Sequence, residues 1–326
     1  MGMAGLSGPR ATGLFLGRGW NIGKVILAGW VMLLAPGQET SAQQPPPAPA
    51  APNSAFQRMR ESGRIRIGFR AEARPFSYRD ASDNAVGYSV ALCQELIQSI
   101  GFQRGVEKIN VEWVPVSPGD RFQMVQRGQV DLLCGADSET AERRQEVAFS
   151  IPIFPDGIGA LLRADASPQL REVLSAGPST QLSTAAQALE GLTYTVVKGT
   201  TAEAWLTGRL TQFRVTAKVD PVTGYDSGVQ QVQNRRAHAF FGDRAILLDA
   251  TRRNPSARDL IVLDRYFTVE PVVLTMGKGE DSLRLAINGA LRGFYSRPEF
   301  LVLYVKWFGE PDDSAKAFYQ RQVSSR

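Results

Sequence analysis

The sequence predicts a two-lobed α/β protein, each lobe built on a mostly parallel sheet, with two chain crossings between the lobes. Three observations predict it. Strand-type and helix-type apolar patterns alternate from residue 64 to residue 134, as in a layered α/β unit. The alternation restarts near Leu161 and runs to Phe241 at a similar size. The last sixty residues then offer one strand and two helical patterns without partners of their own, so they return to the first lobe. This places one lobe at 56–160 and 268–326 and the other at 161–267. Two crossings make a hinge, the arrangement that lets lobes close around a ligand.

At 326 residues the chain is long for one core and comfortable for two lobes. Residues 1–42 read as a secretory signal. Arg10, Arg18 and Lys24 precede an apolar core at 25–34, too short to span a bilayer, and Thr40 and Ala42 fit a signal-peptidase site. The expected compartment is therefore the periplasm. Residues 43–55, opening on QQPPPAPAAP, form a proline- and alanine-rich tether with no capacity to pack. Formal net charge is +5, of which +2 lies in the signal, and no basic run is interleaved with aromatics, which excludes nucleic acid as a partner.

Residues 64–69 alternate apolar side chains at Ile65, Ile67 and Phe69, so they form a strand. A loop at 70–78 leads to a helix opened by Gly87-Tyr88 and stopped near Gly101. A strand at 111–114, a helix at 120–127 and an apolar strand at 130–134 follow. In the second lobe the reading is strand 192–197, helix 202–210, strand 213–219, helix 227–234 and strand 237–241. The end reads as strand 272–276, helices 281–295 and 298–307, and a polar tail.

Ligands of open α/β sheets bind beyond the carboxyl ends of the strands, and the candidate residues fall there. Ser138, Thr140 and Arg143 follow the strand ending at Cys134, with a helix expected to start near Thr140. Free N–H groups at a helix start, together with a guanidinium fork, make a seat for a small carboxylate. Thr200 and Thr201 follow the strand ending near Val197 and suit a second grip on it. Asp243 follows the strand ending at Phe241 and can take a charged amine. An arginine for a carboxylate and an aspartate for an ammonium are what an α-amino acid needs. Taken one at a time, Thr140, Thr200 and Asp243 also fit plain helix caps. Cys93 and Cys134 share a lobe; in an exported protein they form either a disulfide or a pair of small buried hydrophobes, and spacing alone does not decide.

In this order and spacing, the runs SGRIRIG at 62–68, PFSY at 75–78, GYSV at 87–90, GQVDL at 128–132, Ser138-x-Thr140-x-x-Arg143, Gly199-Thr200-Thr201, Asp243 and Tyr304-x-Lys306-Trp307-Phe308-Gly309 resemble the periplasmic polar amino-acid binding proteins. These are the family 3 receptors of amino-acid ABC importers, and the similarity covers nearly the whole chain after the signal. The resemblance implies a type II-like two-lobed binding fold, no cofactor and no metal. Its implied partners are a free amino acid and an inner-membrane permease with its ATPase, and the receptor is expected to act as a monomer. It further implies that Arg143 and Thr201 hold the α-carboxylate, that Ser138 and Asp243 hold the α-amino group, and that Phe76 and Tyr88 pack near the ligand. Arg70 and Arg121 match the arginines of the glutamate/aspartate subgroup, which makes acidic amino acids the leading ligands, with amides next. One departure is Ala91, where the family commonly carries Asp; another is Tyr225, near the position of that subgroup's histidine.

Two other classes compete. An enzyme on this fold, such as a cyclohexadienyl or arogenate dehydratase, needs a positioned acid or base. The only histidine, His238, reads as structural, and no serine–histidine or metal-ligand spacing occurs. A carboxylate–lysine mechanism stays open. A ligand-binding subunit for a separate sensor would share the same pocket.

Overall fold

The computed structural model describes residues 54–106, 108–176, 182–255 and 257–324. The signal and residues 43–53 of the tether lie outside them. Ser54 already accepts a hydrogen bond from Gln57 N as the cap of a helix, Ala55–Ser62. Two five-stranded sheets organise the rest.

In the first sheet the order is Asn110–Val116, Arg64–Arg70, Leu132–Ser138, Val272–Gly277, Val147–Phe149. In the second it is Lys218–Val222, Thr193–Val197, Ala239–Asp243, Ile158–Arg163, Leu260–Val262. Each begins with three parallel strands, and each has its fourth strand antiparallel to both neighbours. The expectation of two mostly parallel sheets therefore holds, and the reversed strand in each is the one that follows a crossing. Ile158 already pairs with Asp243, so the second sheet begins three residues before the lobe boundary expected from sequence. Leu132–Ser138 is buried at every position because helices cover both faces of its sheet; such strands lose polar alternation and read as apolar runs.

Several elements differ from the sequence reading. The strand expected at 213–219 is instead the end of a helix, Thr201–Gln212, a turn, and then the strand Lys218–Val222. The loop at 70–78 carries a small antiparallel sheet of Glu72–Ala73, Ser77–Arg79 and Ala85–Val86. The helix opened by Tyr88 continues past Gly101 to Gln103, and its first turn, which contains Ala91, has no acidic residue. The polar tail is a helix, Asp313–Ser324, that buries Ala315, Phe318 and Tyr319.

Those C-terminal residues fix the hinge. The first crossing, residues 150–157, brings Ile153 and Phe154 into an aromatic cluster. Phe154 lies 4.1 Å from Phe308 and stacks on Tyr304 at 6.1 Å between ring centroids. The hydroxyls of Tyr88 and Tyr319 both donate to the Ile153 carbonyl, at 2.8 and 2.9 Å. The second crossing, residues 263–271, runs beside the first and bonds to it: Val272 N to Phe154 O at 2.9 Å, Glu270 N to Asp156 O at 2.8 Å and Phe267 N to Ile158 O at 2.8 Å. The backbones approach so closely at Gly157 that a Cβ there would lie 2.1 Å from the Thr268 carbonyl oxygen. Only glycine fits.

Cys93, on the helix Tyr88–Gln103, and Cys134, on the central strand, are joined as a disulfide that ties helix to sheet in the first lobe. Replacing both by alanine should lower the unfolding free energy by about 4 kcal/mol, from the chain entropy of closing a loop of 41 residues. Denaturant unfolding of the purified variant checks this; an unchanged midpoint would show that the bond does not stabilise the lobe.

Candidate functional site

The carboxyl ends of both sheets point into one cleft, and the lobes meet across it. Arg121 Nη1 lies 3.5 Å from the Gly199 carbonyl oxygen, and Arg74 Nε lies 3.3 Å from an Asp249 carboxylate oxygen. Gly199 has φ +77°, and a Cβ there would stand 3.1 Å from the Pro118 carbonyl oxygen. The chain after the strand Thr193–Val197 is thus a glycine turn pressed against the first lobe.

Arg143 sits where the loop after Leu132–Ser138 turns back towards the sheet. The helix expected at Thr140 is a single 3₁₀ turn, Arg143–Gln145, because the chain must rejoin the first sheet at Val147–Phe149. Thr140 Oγ1 accepts from Arg143 N at 3.2 Å and so holds that turn. The guanidinium donates from Nη1 to Ser138 O at 2.7 Å and lies over the Phe122 ring, 5.0 Å from its centroid. Among the described residues Arg143 has no carboxylate within ion-pair distance. Burial and then the nearby Arg121 lower its pKa below the usual arginine value, while Asp137, Asp243 and Glu270 act in the opposite sense.

The other two arginines are already committed. Arg70, 2% exposed, is paired with Glu72, its Nε at 3.0 Å from Oε1. Arg121, 3% exposed, is paired at 2.5 Å with Asp137, which is 1% exposed and also accepts from the Thr275 hydroxyl at 3.2 Å. A buried pair of this kind satisfies both charges within one lobe. The two arginines expected to receive a side-chain carboxylate therefore reach the cleft with a carboxylate each.

On the second lobe Asp243 stands at the N-terminal cap position of the helix Arg244–Arg253, where its side chain makes no capping bond and instead accepts from the Tyr225 hydroxyl. Burial raises its pKa above the usual carboxylate range, and the charge of Glu270 adds to this against the Tyr225 hydroxyl and Arg70. Thr200 donates its hydroxyl to the Val197 carbonyl at 2.7 Å and stands at the cap of the helix Thr201–Gln212, with Thr201 as its first residue. Phe76, expected beside the ligand, is instead a core ring, fully buried against Tyr88, Phe154 and Phe308 at 5.1–6.4 Å. Tyr88 belongs to the same cluster. His238 is exposed and accepts from Thr193 N at 3.0 Å, which closes the start of a strand.

Sequence reasoning missed four carboxylates here. Glu72 and Asp137 hold the two arginines. Asp156 and Glu270 lie one in each crossing, side by side through the Glu270 N to Asp156 O bond. Asp156 Oδ1 accepts from Ala245 N at 3.3 Å, which sets it beside Asp243 at the same helix start. Burial, then the charge of Asp243, pushes the Asp156 carboxyl well above the usual range. The available signals were a charge inside an apolar strand at Asp137 and acids flanked by Pro and Gly at Pro155-Asp156-Gly157 and Glu270-Pro271.

The bacterial extracellular solute-binding proteins, family 3, match the chain over residues 65–310. The chain belongs to this family. Among its relatives is an L-glutamate/L-aspartate-binding protein of Pseudomonas aeruginosa, 23% identical over 257 residues, 78% of this chain and 80% of the relative. A glutamate/aspartate import solute-binding protein of Escherichia coli is 22% identical over 270 residues, 83% of this chain and 84% of that one. Among solved structures, an ancestral amino acid-binding protein described as a precursor of cyclohexadienyl dehydratase shares the fold. It has a TM-score of 0.63 at 24% identity and covers 78% of this chain and 100% of its own. Arg143, bonded to Ser138 O and without a carboxylate partner among the described residues, stands at the carboxyl end of the first lobe's central strand.

The sign of the Asp156 shift gives a test. A carboxyl whose pKa is higher folded than unfolded costs stability once the pH rises through the folded value, and costs nothing below the unfolded one. Asp156→Asn keeps the acceptor for Ala245 N and removes the charge. The ligand-free variant should therefore melt above the parent at pH 8, with the gap closing as the pH falls below the usual carboxylate range. Melting curves across pH check this, and a gap that does not depend on pH would show that the charge is not the cause.

Proposed function

We propose that this family member is an extracytoplasmic receptor that captures a free α-amino acid between its lobes and hands it to an inner-membrane ABC permease. One observation carries the reading. Arg143, a guanidinium without a carboxylate partner among the described residues, stands on one lobe, and a carboxylate, Asp243, stands on the other. Burying a zwitterion is costly unless both charges are paired, so only a ligand with a carboxylate and an ammonium at that spacing rewards closure. Ser138 and Thr140 shape the Arg143 seat, while Thr200 and Thr201 bring a helix start to the same place from the second lobe. The chain's relatives, which include glutamate/aspartate-binding proteins, support an amino acid as the solute. Export by residues 1–42, action as a monomer and delivery to a permease with its ATPase complete the proposal.

The acidic side chain expected from Arg70 and Arg121 needs cations that are free, and Glu72 and Asp137 occupy both. The reading carried forward is an amino acid whose side chain brings no second carboxylate, and amides stay within it.

Arg143→Ala should weaken amino-acid binding by roughly 100- to 1,000-fold, as expected for removing one partner of a buried charge pair. Its circular dichroism should stay that of the parent. The readout is thermal shift against an amino-acid panel after unfolding and refolding to strip bound solute, since a ligand of the folded state raises the melting temperature with its concentration over Kd. Near-parental affinity in a folded variant would remove Arg143 from the site.

A catalytic reading is favoured by the raised carboxyls of Asp156 and Asp243, which could donate protons, and by the dehydratase precursor among the fold's neighbours. Incubation with a cyclohexadienyl acid, followed by ultraviolet absorbance of aromatic product, should show no turnover. Turnover that disappears in Asp243→Asn would replace the receptor reading by the enzyme.

A further inference from the structure

The acids of the cleft outnumber what an ordinary zwitterion can match. Asp243, Asp156 and Glu270 stand on one wall, linked by the Ala245 N to Asp156 Oδ1 and Glu270 N to Asp156 O hydrogen bonds. Among the described residues none of the three takes part in an ion pair within 4.0 Å. Asp156 is only 4% exposed, yet among the described residues its Oδ2 has no hydrogen-bond partner, and Glu270 Oε2 is likewise buried without one. Unmatched buried carboxylate oxygens are costly, and a structure keeps them where something else supplies the donor.

Nearby cations do not supply it. Arg244, beside Asp156, is turned away to Asp264 at 2.9 Å and the Leu263 carbonyl at 3.1 Å. Arg74 is taken by Asp249, Arg70 by Glu72 and Arg121 by Asp137. Arg143 faces Asp243 and Glu270 across the cleft, and an amino-acid carboxylate would occupy it. Tyr225 donates to Asp243 alone. An α-ammonium then answers Asp243 and leaves Glu270 and Asp156 unanswered.

We propose that the ligand carries a second cationic group, received by Glu270 from the hinge with Asp156 behind it, so that the solute is an α-amino acid with a basic side chain. This rests on the amino-acid receptor reading and sharpens it. It also assigns Glu270 as the residue that sets specificity. Because Glu270 and Asp156 belong to the two crossings, a cation between them bonds to the hinge itself, and side-chain recognition is coupled to the closed arrangement.

The test is the dissociation constants of L-arginine, L-ornithine, L-glutamine and L-glutamate, by calorimetry on the solute-free protein, for the parent, Glu270→Gln and Asp156→Asn. In the parent, arginine or ornithine should bind at least tenfold tighter than glutamine, and glutamate weakest. Glu270→Gln should cut the ratio of cationic to neutral affinity by about tenfold, the worth of one charge-assisted bond. Asp156→Asn, which keeps the same shape, should cut it less. Glutamate or glutamine binding more tightly than both cations would overturn this inference and leave the receptor reading in place. A ratio that Glu270→Gln does not move, in a variant with parental circular dichroism, would overturn it as well. Failure of all four solutes to bind would overturn the receptor reading itself.

Discussion

Charge taken out of water must be matched, and most of what is unusual in this cleft follows from how that matching is divided. Arg70 and Arg121 are neutralised inside the first lobe, by Glu72 and Asp137, before the second lobe is involved. Each pair is a local solution, bought at the cost of fixing side chains, and it makes the first lobe's face close to neutral. Arg143 is left out of this arrangement, held by a backbone carbonyl and the face of Phe122. Cation–ring contact of this kind orients a guanidinium without discharging it. The second lobe and the hinge bring Asp243, Asp156 and Glu270 close together, and the neighbouring Arg244 bonds instead to Asp264 and the Leu263 carbonyl. The two halves of the cleft thus carry complementary groups, Arg143 on one side and Asp243 and Glu270 on the other.

The aromatic cluster gives this electrostatic arrangement a rigid frame. Phe154 is held by Tyr304 and Phe308, and the Ile153 carbonyl by two tyrosine hydroxyls, so the first crossing leaves the first lobe from a fixed point. Buried tyrosines with satisfied hydroxyls combine large apolar contact with a directional bond. The C-terminal helices supply most of these groups. Their return to the first lobe therefore positions Asp156 and Glu270 as surely as it fills the core.

Much of the fold was legible in the sequence because the strands are short apolar runs followed by helical spacing, and because strand ends such as Ser138 and Asp243 announce themselves. The C-terminal helix was not, since only Ala315, Phe318 and Tyr319 mark its buried face among polar residues. The strand at Lys218–Val222 contains Asp220 and Pro221, while the apolar Phe213, Val215 and Ala217 belong to the turn and the irregular stretch before it, so local pattern pointed to the wrong segment. Pairings resisted sequence reading most. Nothing local couples Arg121 to Asp137 or sets Asp156 beside Glu270, and sequence favoured a Cys93–Cys134 bond only slightly over two small buried hydrophobes. Phe76 sat in a run shared with the family and was placed by that resemblance near the solute, whereas its neighbours in space make it core.

The two crossings lie side by side, bonded to one another from Phe154 to Ile158, with a glycine where they touch most closely. The chain consequently leaves the first lobe and re-enters it at almost the same place, so the second lobe is an insertion whose two ends are adjacent. Such an inserted unit can be exchanged between relatives without rerouting the chain of its host. Under the proposed roles, the first lobe would keep Arg143 for the solute's carboxylate, while the incoming unit would bring its own partner for the amine. Swapping that unit is a modular route by which one scaffold could acquire new solutes.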